Sequence, residues 1–395
     1  MKICVINNLY KPFNRGGADR ITELIVDGLK AKGYDVFVIA TKPYNSRLKI
    51  LDLRYKDYYI SGFFYDLGKI PLPLRLVWHV VDMFDVGMFL RIRAILKKEK
   101  PDVVITNNLK GLSYLVPKSI KSLGIKHIHI LHDIQLIHPS GLLNYGEEER
   151  IESLFAKIYI ILCRWLFDSP TTVISPSKWL LGLHVKRGFF PMSKKSVIPN
   201  PIEISRSEIL HDNLRTKESK IENFQFLFVG QIEVHKGIFI LVDSFVRFMK
   251  ENSGNANLTI IGSGSQDDML SEEIKNIGNI EFLGAMDNNE VKSWMAAANC
   301  LIVPSLCYEN SPTVIYEAAS IGLPVIASDI GGIPELIEMF GGFLVKPKDS
   351  SALVEKMKLA MDLINNNTKE IEDKSKEALI SLATTNYIKR LEELF

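Results

Sequence analysis

The stretch NCLIVPSLCYENSPTVIYEAASIGLPVIASD, residues 299–329, decides the fold. It begins with a short apolar run, 299–305. A loop carrying Glu309 follows, then a helix-period segment that opens at Pro312, then a Gly322-Leu323-Pro324 turn into a second apolar run, 324–329. Two apolar runs joined by a helix make a βαβ unit, and its strands pair in parallel. Ser311 can cap the helix, and Pro312 suits its first position because the missing N–H costs nothing there. The N–H groups of Thr313 and Val314 then point outward at the positive end of the helix dipole, which favours phosphate. Glu309 stands just before that start and Glu317 a turn and a half inside. Each carboxylate can accept two hydroxyl hydrogen bonds, which suits a sugar or ribose rim. Two glutamates eight apart recur by chance; the added Ser-Pro, strand and turn make the segment specific.

The same alternation runs outward in both directions. Towards the N-terminus, strands are expected at 2–8, 35–40, 102–108, 126–133 and 171–177, with helices over 18–33 and 76–100. A polar segment, 204–223, is the best linker. The pattern restarts with strands at 224–230, 257–264 and 280–284 and a helix over 237–252. This order predicts an α/β protein of two Rossmann-like, doubly wound parallel-sheet domains facing across a cleft. The expected division is 1–203, with a C-terminal helix at about 376–395 crossing back to it, and 204–375.

Composition supports an ordinary globular chain, with 47 % hydrophobic and 24 % charged residues among 395. Four scattered cysteines form no CxxC pair, so neither a zinc site nor a disulfide framework is expected. The N-terminus reads as a first strand rather than a leader. The most apolar helical stretch, IESLFAKIYIILCRWLF at 151–167, contains Lys157 and Arg164 and falls short of the roughly 20 residues a membrane span needs. It reads as a buried or surface-lying helix, with a core position favoured. Charge is strongly segregated. Residues 1–200 hold 30 Lys and Arg against 17 Asp and Glu, a surplus of 13, while the remainder carries a deficit of 11. The basic half is expected to meet something anionic, such as a membrane surface. Nucleic acid is not expected, because no recognition-helix signature or aromatic-basic interleaving occurs.

Further candidates gather at strand ends. FVGQIEVHKG, 228–237, is a strand, a glycine turn and a lysine opening a helix; Lys236 can neutralise a diphosphate, while Gln231 offers a neutral hydrogen bond. Gly262 lies in GSGS, 262–265, which lacks the third glycine of a dinucleotide fingerprint. It serves as a phosphate or base loop, or as a simple turn. Gly16 and Gly17 sit between the first strand and first helix, where glycine lets backbone approach a ligand closely; a turn alone explains them about as well. His132 ends the strand HIHILHD and can donate to a reacting sugar or carry charge near phosphate; because His127 and His129 lie in the same strand, a satisfied core histidine is the rival reading.

Taken together, GGA (16–18), LHD (131–133), ISPS (174–177), IPNPI (198–202), FVGQIEVHKG, IIGSG, FLG (282–284), ENSPTVIYEAASIGLPVIASDIGG (309–332) and GFLV (342–345) resemble a family 4 retaining glycosyltransferase of the GT-B fold. The resemblance covers nearly the whole chain and implies roles. Glu309 would contact the transferred sugar, helped by backbone at Asn310, Ser311 and Pro312. The amides of Thr313 and Val314, with Lys236, would hold the distal phosphate, and Glu317 the ribose. Backbone at Gly284, Ala285 and Met286 would recognise the base. Gly16 and Gly17 would approach the phosphate, and His132 would line the acceptor side of the reacting carbon. One departure matters: the family usually has Arg where this chain has Gln231. Losing that cation weakens leaving-group stabilisation, an effect worth a few kcal/mol in a dry site: either His235 or Arg15 compensates, or the donor phosphate is held differently, or activity is low.

The resemblance implies a cytoplasmic, hexosyltransferase-like enzyme, and the basic half adds the expectation of a peripheral contact with an anionic membrane. It would retain anomeric configuration, need no metal or other cofactor, and move a sugar from a nucleotide-diphosphate sugar to a glycan or lipid-linked acceptor in cell-surface polysaccharide or glycolipid synthesis. The alternatives are a catalytically weak GT-B module that binds nucleotide sugar or glycan as a partner subunit, and another enzyme using the same cleft, such as an epimerase or a phosphorylase.

Overall fold

The computed structural model describes residues 1–14, 16–44, 46, 51–52, 57–62, 64, 71–203, 223–252, 255–366, 375 and 378–395. Arg15 and nearly all of the expected linker lie outside them. The chain divides into two compact units. Unit 1 holds Met1–Leu142, Glu148–Pro201 and Thr384–Phe395; unit 2 holds Leu143–Glu147 and Ile202–Ala383.

Unit 1 is built on an eight-stranded sheet: β1 (Lys2–Ile6), β2 (Asp35–Lys42), β3 (Leu51–Asp52), β4 (Asp57–Ser61), β5 (Val103–Thr106), β6 (Lys126–Ile130), β7 (Thr172–Ser175) and β8 (Lys194–Val197). Their order is β3-β4-β2-β1-β5-β6-β7-β8, and every pairing is parallel except the short β3 against β4. The central strands are continuous apolar runs because both faces are covered; Ile3, Val5, Val104 and Ile105 are buried. The helices are α1 (Gly17–Ala31), α2 (Leu72–Met83), α3 (Val86–Glu99), α4 (Val116–Ser122), α5 (Leu154–Leu166) and α6 (Lys178–Lys186). The amphipathic α1 turns Ile21, Ile25, Val26 and Leu29 inward.

The single helix expected over 76–100 is two helices. The apolar period runs on through Phe84, but the Asp85 carboxylate accepts a hydrogen bond from the Met88 N–H at 2.8 Å and starts a new helix there. The short β3, β4 and β8 were not legible, since strands of two to five residues with polar members carry little period.

Unit 2 has a six-stranded, wholly parallel sheet: β9 (Phe224–Val229), β10 (Ala256–Ile261), β11 (Ile280–Phe282), β12 (Cys300–Val303), β13 (Val325–Ser328) and β14 (Phe343–Val345), ordered β11-β10-β9-β12-β13-β14. Its helices are α7 (Ile238–Glu251), α8 (Asp267–Ile274), α9 (Asn288–Ala297), α10 (Thr313–Ser320), α11 (Ile333–Phe340) and α12 (Ser350–Asn366). The last helix, α13 (Thr384–Glu392), belongs to unit 1 and buries Tyr387, Ile388 and Leu391.

Both sheets are doubly wound, so each has a point where the chain reverses its direction of travel. In unit 1 that point lies between β1 and β5; in unit 2 it lies between β9 and β12. Loops that leave the carboxyl ends of those strands diverge and leave a crevice, which is where ligands bind in open α/β sheets.

Candidate active site

The loops after β9 and β12 hold the charged part of the site. After Val229 the chain passes Gly230 and the exposed Gln231 into a tight turn over Val234–Lys236. Gly237 closes the turn at φ 76°, and a Cβ there would stand 1.9 Å from the carbonyl oxygen of Pro304. Only glycine permits that approach, and it presses the Lys236 turn against the end of β12. The Leu306 N–H donates to the His235 carbonyl at 2.8 Å. Lys236 Nζ then lies 3.0 Å from Glu309 Oε2, both side chains largely buried. The Ser305 hydroxyl donates to the other carboxylate oxygen. Burial opposes the Lys236 ammonium, but the neighbouring Glu309 carboxylate outweighs it and lifts the pKa above the ordinary lysine value.

The Glu309 loop is fixed from two more sides. The Gly332 N–H donates to the Glu309 carbonyl at 2.8 Å, and a Cβ on Gly331 would stand 2.2 Å from that same oxygen. On the other flank the segment Leu143–Glu147 pairs with the loop: Tyr145 N–H donates to Leu306 and Tyr308 N–H to Leu143, each at 2.8 Å. A loop held this way presents its carboxylate in one place before any ligand arrives.

The helix start differs in detail from the sequence expectation. Helix α10 begins at Thr313 and Pro312 is its N-cap residue. Ser311 does not cap it: its hydroxyl is 2.6 Å from that of buried Tyr316. A proline cannot cap with a side chain, and among the described residues no side chain caps this end. The N–H groups of Thr313 and Val314 are therefore not claimed by a capping side chain. Asn310 is buried, whereas Ser311, Pro312, Thr313 and Val314 are partly exposed. Glu317 is exposed on α10, unlike the inward Glu309.

The predicted glycine loop after β10 has a structural task. A Cβ on Gly262 would stand 1.7 Å from the Gly230 carbonyl oxygen, and one on Gly264 2.2 Å from that of Ile232. The glycines let this loop lie on the β9 loop. Gly262 N–H donates to the Gly284 carbonyl at 2.8 Å, which ties in the loop of Gly284, Ala285 and Met286. That loop ends in a capping box, in which Asp287 accepts from Asn289 and Glu290 N–H while Glu290 accepts from Asp287 N–H.

His235 does not replace the missing arginine as a cation. Partial burial, with Lys236 beside it, holds its pKa below the ordinary histidine value.

In unit 1 the candidates cluster around its own switch point. Gly16 is the N-cap residue of α1, exposed, with nothing within 4 Å of where a Cβ would stand; its N–H donates to Asp19. Gly17 opens the helix. His132 follows β6, and its Nε2 lies 2.8 Å from Asn107 Oδ1, at the end of β5. An amide oxygen only accepts, so Nε2 carries the proton and donates to Asn107. Burial lowers the His132 pKa to about 4. Burial thus disfavours a charged His132 and holds the ring neutral at pH 7, with its Nε2 proton committed to Asn107. His127 and His129 are core residues. Thr106 Oγ1 bridges them at 2.7 and 2.8 Å, and Ser169 meets the other nitrogen of His127.

Sequence reasoning missed Ser305, Asn107 and the 143–147 segment. The two side chains sit at strand ends but in no distinctive motif, and the segment comes from a loop remote in sequence from the residues it contacts.

Residues 15–206 match the model of Glycosyltransferase Family 4 and residues 211–377 that of Glycosyl transferases group 1. The chain is 26 % identical over 347 residues to an uncharacterized protein in the cps region of Klebsiella pneumoniae, spanning 85 % of this chain and 87 % of that one. It is 24 % identical to a putative teichuronic acid biosynthesis glycosyltransferase of Bacillus subtilis, over 90 % of this chain and 88 % of that one. Among solved structures it is similar in fold to sucrose-phosphate synthase from Thermosynechococcus elongatus, at a TM-score of 0.72 and 17 % identity, covering 100 % of this chain and 98 % of that one. The Anabaena protein HepE in complex with UDP gives a TM-score of 0.70 at 18 % identity, covering 100 % and 99 %.

Proposed function

We propose, from the premise that the chain belongs to the family 4 glycosyltransferases and has the GT-B fold, that it transfers a sugar from a nucleotide-diphosphate sugar to a glycan or lipid-linked acceptor with retention at the anomeric carbon, and without a metal ion. The observation that carries this reading is the Lys236–Glu309 pair at 3.0 Å, beside a helix start that no side chain caps.

A diphosphate at Thr313 and Val314 meets two backbone N–H donors, the helix dipole and Lys236. These groups are aimed where negative charge accumulates as the sugar–phosphate bond breaks, and they need little reorganisation. Glu309, braced by Ser305 and the Gly332 N–H, accepts hydroxyl hydrogen bonds from the transferred sugar. Glu317 takes the ribose, and the loop of Gly284 takes the base. In the same-face reaction the anomeric carbon–phosphate oxygen bond breaks, the bond to the acceptor oxygen forms on that face, and the acceptor's proton passes to the departing diphosphate. The structures of HepE with UDP and UDP-glucose support a nucleotide sugar as donor, and relatives named for teichuronic acid and amylovoran biosynthesis support a cell-surface polysaccharide as product. The test is sugar-nucleotide turnover in Lys236→Ala and Glu309→Ala. Loss in both is expected, and unchanged turnover in both refutes the assignment.

A second reading, a weakly active module that binds nucleotide sugar as a partner subunit, is favoured by Gln231 together with the neutral His235 beside Lys236. Calorimetry separates the two: binding of a nucleoside diphosphate without turnover of any sugar nucleotide supports the module.

A further inference from the structure

Helix α5 is apolar on the side turned away from the core. Its inward positions, Ala156, Tyr159, Ile160, Cys163 and Leu166, are buried. On the opposite side Leu154, Ile158, Ile161 and Trp165 are 76, 52, 60 and 56 % exposed. Steps of four, three and four residues place them in one stripe, and exposed Phe155 and Leu162 widen it. Single exposed apolar side chains are normal, whereas a contiguous stripe marks an interaction surface. Lys157 and Arg164, seven residues apart, stand together along one edge of the stripe. Neither α4 nor α5 contains an acidic residue.

The neighbourhood continues both features. The connections from β4 to β5, β5 to β6 and β6 to β7 all step the same way across the sheet, so right-handed crossovers put α3, α4 and α5 on one face. Lys118 lies 4.6 Å from the Trp165 ring centroid and 2.8 Å from Asp168, which also holds Lys121 at 3.1 Å. Beyond Trp165 a groove of about 480 Å³ is lined by Arg164, Lys121, Phe190, Pro191 and Met192, the last 94 % exposed.

We infer that this face of unit 1 docks on an anionic lipid bilayer, with α5 lying in the interface. Leu154, Ile158, Ile161 and Trp165 enter the boundary of the acyl chains, and Lys157, Arg164 and Lys121 meet the lipid phosphates. Charge selects this occupant: a second copy packed on the same face by a two-fold axis would set lysine and arginine against their own kind. At 13 residues α5 is about 20 Å long, too short to span a bilayer but suited to lie along one. Tryptophan at one end of such a stripe is at home at the headgroup level. The inference does not depend on the donor-site reading.

The test is flotation of the full chain with vesicles of phosphatidylcholine alone and of phosphatidylcholine with phosphatidylglycerol. Binding to the anionic vesicles, weakening as salt is raised, is expected. Ile158→Ser combined with Ile161→Ser, and separately Lys157→Glu, should each lower partitioning about tenfold or more. All three side chains are exposed, so the thermal-unfolding midpoint and its shift by a nucleoside diphosphate should stay as in the unaltered chain. Three results overturn the inference: no binding to the anionic vesicles, unchanged partitioning of both variants, or a dimer in solution that the double serine variant dissociates. The last would make the stripe a contact between copies.

Discussion

Unit 1 and unit 2 wind their sheets by the same rule and furnish the reversal point differently. In unit 2 the loops leaving the central strands end in charge: Lys236 and Glu309 stand 3.0 Å apart beside a helix start that no side chain caps. In unit 1 the equivalent loops end in an exposed glycine, a buried amide and a neutral histidine, Gly16, Asn107 and His132. Yet unit 1 is the basic half of the chain. Its positive charge is spread over the unit, while unit 2, acidic overall, holds one largely buried lysine against Glu309, where the proposed diphosphate would bind. Topology thus fixes where a ligand binds, and local side chains fix what kind.

The sharpest way to break this comparison is to remove one charged group from unit 2 and one neutral group from unit 1. Lys236→Ala should lower kcat about 10²–10³-fold, as expected for a preorganised cation facing a leaving group. His132→Ala should cost about tenfold, because a neutral ring contributes position rather than charge. Steady-state turnover of the sugar nucleotide measures both. Equal losses would show that the units share the electrostatic task.

A pair of glycines tests the backbone in the same way. Gly237→Ala places a Cβ 1.9 Å from Pro304 O at a φ of 76°, so the Lys236 turn must move. A stability loss of about 2–3 kcal/mol in urea unfolding is expected. Gly16→Ala meets nothing within 4 Å and has an extended φ, so stability should change by less than about 0.5 kcal/mol. Activity lost in Gly16→Ala at unchanged stability would show that a ligand, not the fold, requires glycine there.

Acidification should separate the units next. Burial lowers the folded-state pKa of His127 to about 3 and of His184 to about 4, and that of His129 is lowered as well. A depressed histidine pKa means the unfolded chain binds more protons between that value and about 6.5. The stability these histidines contribute is therefore present above pH 6.5 and lost as pH falls towards 4. Asp82 and Asp133, raised by burial to about 7 and about 6, act in the opposite sense but are fewer. Unit 1 should lose about 1.4 kcal/mol per pH unit for each excess proton, and unit 2, with His235 as its only described histidine, less. Hydrogen exchange at pH 7 and pH 5 reads this out: amides of β5 and β6 should lose protection before those of β9 and β12.

Much of this architecture is legible in the sequence because buried parallel strands are unbroken apolar runs and the helices between them keep their period. The first helix and the strands β1, β9 and β12 fall where the residues put them. What was not legible has physical causes. Asp85 interrupts a helix whose apolar period never breaks. Pro312 takes the N-cap position expected of Ser311, and Ser311 meets the Tyr316 hydroxyl instead of an N–H. The glycines of 262–264 look like a phosphate loop, and they also seat another loop's carbonyls, a task that depends on a contact across about thirty residues. Lys236 and Glu309 are each visible in the sequence, but their pairing is not. The 151–167 stretch, read as core for its apolarity, buries only one side, since composition gives no sign of which neighbours remain to cover the other.

The smallest expected effect concerns the Asn107–His132 pair. Asn107 is buried, its Oδ1 accepts the His132 Nε2 proton, and its Nδ2 has no hydrogen-bond partner among the described residues. Asn107→Asp keeps the shape, removes that unsatisfied donor and sets a carboxylate against the ring. The carboxylate favours imidazolium, so the His132 pKa should rise from about 4 by about one unit or more, worth about 1.4 kcal/mol. Histidine ring nitrogen shifts followed by NMR through a pH titration measure it directly. If the shifts show the ring protonated at Nδ1 in the unaltered protein, or do not move in the variant, Asn107 does not set the ring's state. A rise in pKa accompanied by a higher KM at unchanged kcat would place the neutral ring in binding. A fall in kcat alone would place it at the reacting carbon, and the contrast between a charged unit 2 and a neutral unit 1 would then belong to the chemical step itself.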